Sequence, residues 1–522
     1  MSSTSLGFLR MALAAVLLAS CGLSAAPDAD TGDVAVASAG LTAQQRLTAC
    51  AQDPRVVAGL ASKEICAGAS IFFQETFGGN GRTCGTCHPA RHNLTIDAQF
   101  IATLPPSDPL FVFEQDPANL GGLETSSLRA QGVVLENVDG FSDLRQFAVR
   151  SVPHTLSMKT SIASDLADPL ATTPPADKTG WGGDGAPGDG SLRSFLDGAI
   201  TQHYPKTLAR RPGIDFRPAT PAELDLTSTF QLALGRTNEL NLTQVNLADA
   251  QANVGRQAFL DPQRGRCDVC HANAGANFRD TGKNRNFNTG MVRIPAGQIG
   301  TVDGGLPFFD GGFGLMPFDA LQIGFNNSLG NGAFNTPPLI EAADTPPFFH
   351  NNDLQSGDIE SAVFFYVDPF PFPTSPAATD LVTRFGTPIQ FTTEDGFAIA
   401  RFLRALNVAF NLDLAKQRLR ATQTLFNRFR DTRVDIQIGL LDLANVEIDD
   451  ALTVLQRAPQ QPFYPVSVDR LNLAKAEIAA ARSAPASSRG GRISNAISRV
   501  ENARDQIGAN INFTLGAGNL FF

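Results

Sequence analysis

Apolar residues recur at helical spacing in separate blocks along this chain, and proline or glycine breaks the stretches between them. From Thr42 to Phe77 the pattern suits helices interrupted at Asp53-Pro54, before Gly78-Gly79-Asn80-Gly81 turns the chain. Short segments broken by Pro105-Pro106, Pro109 and Gly121-Gly122 then read as loops. Leu192, Phe195, Leu196 and Ala199 share one face of a helix predicted from Ser191 to about Tyr204. The stretch from Pro221 to Phe259 suits two more helices, and another is predicted from about Asp358 to Tyr366. Phe402, Leu403, Leu406 and Phe410 form a further apolar face. The last hundred or so residues carry four more helical patterns, divided by Pro459, Pro462 and Gly490-Gly491. They are Leu425, Phe426 and Phe429; Ile436 to Leu455; Leu471 to Ala481; and Ile493, Ile497, Val500 and Ile507. A mainly α chain is expected.

The N-terminal end changes that picture. Arg10 precedes a short apolar run, Met11 to Leu18, which reads as a signal segment rather than a permanent span. Leu18-Ala19-Ser20-Cys21 looks like the lipobox of bacterial lipoproteins, which makes Cys21 a candidate for lipidation after removal of residues 1–20. Residues 21–42 lack any period and read as a flexible tether. The expected location is therefore the bacterial cell envelope, with a lipid anchor as the only membrane attachment. A net charge of −10 argues against nucleic-acid binding, which needs a basic face. Phenylalanine is abundant, with 38 residues against three tyrosines and one tryptophan, and suits Phe-built cores.

Two pentapeptides carry the chemistry: Cys84-Gly-Thr-Cys87-His88 and Cys267-Asp-Val-Cys270-His271. In an exported protein C-x-x-C-H marks covalent attachment of a c-type haem. Two thiols at this spacing can form thioethers with the vinyl groups of one porphyrin, and the adjacent imidazole becomes the proximal iron ligand. A single zinc held by two C-x-x-C pairs is the alternative, but it does not call for a histidine after both. The other cysteines are Cys21 and the pair Cys50 and Cys66, a candidate disulfide in an oxidising compartment or else two buried thiols.

With these landmarks in order, residues 65–410 resemble the bacterial di-haem cytochrome c peroxidases and their MauG-type relatives. Arg150-x-x-Pro153 is similar to the family's Arg-Asn-x-Pro, and Trp181-x-x-Asp184-Gly to its Trp-Asp-Gly with one extra glycine. Phe334-x-Thr336-Pro337-x-Leu339, His350 and the run Ile359 to Tyr366 resemble a third family region. The resemblance implies two cytochrome-c-like haem domains facing each other, here 43–255 (catalytic) and 256–411 (electron transfer). Residues 412–522 then form a helical extension, structural or for partner docking. It also implies two haem c groups, Trp181 as the electron relay, and Tyr366 as sixth ligand of the second haem. His350, Met316 and Met291 are rivals for that ligand position. The family binds calcium between its domains; Thr345 and Pro347 match two ligand positions, and the third falls on Ser151 in place of asparagine.

The distal pocket of the first haem departs from the family. Family members place a glutamine and a glutamate there for proton transfer in peroxide cleavage. In this chain Phe195 falls at the glutamine, Pro205 falls at about the glutamate, and no Glu occurs from Thr201 to Pro221. Asp197, Gln202 and His203 are the nearest polar residues, and His203 is the candidate acid–base group. The first reading is thus a peroxidase with a small electron-donor protein, a c-type cytochrome or blue copper protein. The second is a dioxygen-dependent oxygenase of an apolar substrate, resembling the rubber oxygenases, which look Phe-lined at this site. A non-catalytic electron carrier is the third. His92 and His154 read as structural or surface residues.

Overall fold

The computed structural model describes residues 40–122, 124–136, 148–164, 191–291, 332–354, 357–367 and 371–521. Cys21, Trp181 and Met316 lie outside them. The described chain is mainly helical, as the hydrophobic spacing predicts.

One arrangement occurs twice. Helix α1 (Ala43–Cys50) leads to α2 (Lys63–Gln74), which ends ten residues before Cys84 and crosses α4 (Pro221–Gln231); α3 (Leu192–His203) lies between them in the chain. Helix α5 (Ala250–Leu260) ends seven residues before Cys267 and crosses α7 (Thr393–Phe429), which follows the short α6 (Ile359–Phe364). A glycine allows each crossing. A Cβ on Gly68 of α2 would lie 2.1 Å from the Leu226 carbonyl oxygen of α4, and one on Gly255 of α5 would lie 1.8 Å from that of Ala398 in α7. No side chain fits there, so the backbones meet directly.

Helix α7 corrects the sequence reading. The apolar faces at 402–410 and 425–429 belong to one 37-residue helix, because the chain contains no Gly or Pro from Phe397 to Phe429. Position 412, where the extension was expected to begin, falls inside it. The helix is buried on most sides, and its buried charges are paired. Arg404 donates to both carboxylate oxygens of Glu360 (2.8 and 2.6 Å), Arg401 to both of Asp249 (2.8 and 2.6 Å), and Arg418 to Glu447 (2.5 Å).

Three further helices, α8 (Val434–Gln456), α9 (Pro465–Ser483) and α10 (Ala486–Asp505), pack on α7 or on each other. One apolar cluster runs from Cys50 through α2, α4, α5 and α7 to Phe521. The chain end is sewn back by strand pairing of β3 (Asn246–Leu247) with β4 (Gly508–Ala509), and by Arg55, which donates to the Leu520 carbonyl (2.9 Å) and covers the Phe521 ring. Upstream, β1 (Val133–Glu136) pairs antiparallel with β2 (Ala148–Ser151), setting Glu136 opposite Ala148. Of the two alternatives for Cys50 and Cys66, the structure has the disulfide, joining α1 to α2.

Candidate functional site

Both C-x-x-C-H motifs open onto one continuous internal cavity with mostly apolar walls. The four motif cysteines are unpaired. Burial pushes their thiols up, to about 11 for Cys84 and about 12 for Cys87, Cys267 and Cys270, so each is a neutral S–H at ordinary pH. Gly85, inside the first motif, is required by packing: a Cβ there would stand 2.4 Å from the Phe73 ring.

The two motif histidines are held alike. His88 Nδ1 lies 2.7 Å from the Leu94 carbonyl oxygen and His271 Nδ1 lies 3.0 Å from that of Pro337. A carbonyl can only accept, so Nδ1 carries the proton and donates, and Nε2 keeps its lone pair for a metal. Burial holds both imidazoles down at about 4, which keeps them neutral and able to ligate. Thiols, ligating nitrogens and apolar walls all suit a covalently attached porphyrin. Zinc in one four-thiolate site is less well served, because among the described residues no group of three or more His, Cys, Asp or Glu could hold a metal ion.

On the first motif's side, Asn80 binds the end of α3 in place. Its amide side chain donates to the His203 and Pro205 carbonyls (2.9 and 3.1 Å), and its backbone N–H donates to that of Tyr204 (2.7 Å). Gly79 permits the approach, since a Cβ there would be 2.0 Å from the Tyr204 oxygen. Phe195 and His203 both line the cavity, whereas Asp197 is exposed and Gln202 is buried away from it. The Tyr204 hydroxyl donates to Cys84 Sγ at 3.1 Å. Neither this contact nor the next was foreseen. Glu136, on β1, reaches the same wall, and its Oε1 lies 3.8 Å from His203 Nε2. Strand alternation puts Val134 and Glu136 on one face, and both line the cavity.

His154, read as a structural or surface residue, lines the cavity, and burial, with Arg236 and His88 adding to it, lowers it to about 4. His92 keeps its structural reading, bonded to Asp97 (3.0 Å) and stacked on Phe100.

On the second motif's side, Tyr366 packs with Cys270, Phe365 and Phe372 in a small apolar cluster that includes Met291. Burial holds its phenol above the usual range, and the Cys270 and Cys267 sulfurs add to that. Tyr366 and His350 both line the cavity; Met291 is not among the lining residues. His350 is stacked on Phe334 with ring centroids 3.8 Å apart, and its carbonyl accepts from the Ser151 N–H (2.8 Å). Ser151, Thr345 and Pro347 line the cavity too. Three neutral oxygens fall short of the about six to eight that calcium takes, so these residues alone do not make a calcium site.

No known family model matches this chain, and no curated protein matches it.

Proposed function

We propose that this protein is a di-haem c-type oxidoreductase of the bacterial cytochrome c peroxidase and MauG type, reducing hydrogen peroxide to water. One observation carries the reading. Two C-x-x-C-H motifs line a single apolar cavity, and each tethers its histidine through Nδ1 to a backbone carbonyl. In this reading Cys84, Cys87 and His88 hold the first haem, and Cys267, Cys270 and His271 hold the second. The repeated crossings, α2 with α4 and α5 with α7, are the cores of the two haem domains.

Haem iron, when bound, supplies the one-electron chemistry and the coordination site for the oxidant. The chain's own residues do the rest. The two carbonyls fix the imidazole planes and would leave each Nε2 free to bind the iron. Phe195 and its apolar neighbours exclude bulk water from the first pocket. Tyr366 would supply the further ligand at the second site, with His350 its rival. One peroxide, two protons and two electrons give two waters; the electrons come from a small donor protein, a c-type cytochrome or blue copper protein. Lipidation at Cys21 would hold this chemistry at the cell envelope.

A second reading, oxygenation of an apolar substrate by dioxygen, is favoured by one feature, Phe195 in the wall beside the first motif. Stopped-flow visible spectroscopy separates the two. Rapid oxidation of the purified haem protein by stoichiometric peroxide, reversed by a reduced small cytochrome, is the expected result. Inertness to peroxide with a stable adduct after reduction and mixing with dioxygen would replace it with the oxygenase.

A further inference from the structure

The pocket beside the first motif holds a carboxylate that no reading of the local sequence placed there. Glu136 comes from β1, far along the chain from His203, yet their side chains meet at 3.8 Å and are only 12% and 17% exposed. Its other oxygen, Oε2, is fully buried and among the described residues has no hydrogen-bond partner. Nearby charges do not supply one. Arg82 is committed to Glu124 (2.6 Å) and to the Leu110 carbonyl (2.6 Å), and His88 to Leu94. Among the described residues His203 is the ion-pair partner of Glu136, and it faces Oε1. A buried acceptor without a donor is costly, commonly about 1–3 kcal/mol, so such atoms usually mark a place where something else donates. This one lines the cavity into which the oxidant must come.

We infer that Glu136, positioned by His203, is the proton-carrying group of the first pocket and selects peroxide over dioxygen. The inference rests on the haem-peroxidase reading above. Hydrogen peroxide brings an O–H that the Oε2 atom can accept from, whereas dioxygen brings none. Glu136 takes the proton from the inner oxygen of the peroxide and returns it to the outer oxygen as the O–O bond breaks and water leaves. The two electrons that reduce the remaining oxygen come from the donor protein already named, and two solvent protons complete the second water. His203 holds the carboxylate in place and is a positioning residue.

The test uses the full-length holoprotein, as wild type, Glu136→Gln and His203→Gln, with haem content checked by visible spectrum. The first readout is binding, not turnover: hydrogen cyanide must give up its proton on binding a ferric haem, so its association rate at neutral pH reports a nearby base. Glu136→Gln should slow cyanide association about tenfold and peroxide consumption about 100-fold, within the range for a lost acid–base group. His203→Gln should have a smaller effect on both. Wild-type rates in Glu136→Gln with both haems intact would overturn the assignment, and so would a variant series in which only His203→Gln is slowed. If cyanide binding slows but even the wild type is inert to peroxide, Glu136 remains the base of the pocket, while its selection of peroxide and the peroxidase reading both fail.

Discussion

Single residues differ sharply in how legible they are. The pentapeptides at Cys84 and Cys267 are local patterns that can be found in the sequence without the fold. Cys50 and Cys66 were legible as a pair but not as a bond, because two cysteines in sequence do not reveal the distance between them. Their disulfide closes a loop with a sequence separation of 16. Replacing both by serine should cost about 3 kcal/mol of unfolding free energy, as for loops of this size, with the haem spectrum unchanged. Chemical denaturation measures it, and a loss near zero would deny the crosslink a stabilising role. Tyr366 allows a sharper test. Tyr366→Phe keeps the ring packed against Phe365 and Phe372 but removes the oxygen, and it should alter the visible spectrum of one haem only. An unchanged spectrum passes the ligand role to His350.

Elements were readable wherever periodicity was unbroken. The helix predicted from Ser191 to about Tyr204 is found at Leu192–His203, and Ser191 caps it by accepting from the Ser194 N–H (3.2 Å). The expected boundary at 411/412 falls inside α7. A helix buried on nearly all sides carries no clean apolar stripe, so its pattern looks like two fragments. What holds α7 among its neighbours is the ion pairing of its buried arginines as well as apolar packing. Arg404 and Glu360 join α7 to α6 with side chains 2% and 8% exposed. Arg404→Met should destabilise the protein by about 3–5 kcal/mol, because it strands a buried carboxylate. If the denaturation midpoint of this variant matches wild type, the pair is not what fixes α6 on α7.

The whole molecule adds a pH dependence at the junction of α7, α8 and the turn after Ile340. Asp344 accepts from the Asn411 side chain (2.6 Å), yet burial first, and Glu447 after it, raise its carboxyl from 3.8 to about 7. Glu447 and Asp450 on α8 are shifted upward as well, mainly by burial. A carboxyl raised on folding stabilises the folded state while protonated. Its contribution is complete below the unfolded value near 4 and is lost as pH rises to about 7. Stability should therefore fall between about pH 5 and pH 8 more steeply in wild type than in Asp344→Asn, which has no proton to lose. Parallel urea midpoints at the two pH values decide it; equal losses in both proteins would remove Asp344 from the account. The sequence by itself determined the helical class, the two C-x-x-C-H motifs and the helices that flank them, because each rests on spacing within a few residues. Tertiary structure alone decided that both motifs share one cavity, that α7 runs unbroken into the C-terminal helices, and that Glu136 from a distant strand meets His203. Those facts depend on which surfaces the chain buries together, and burial couples residues without regard to their separation in sequence.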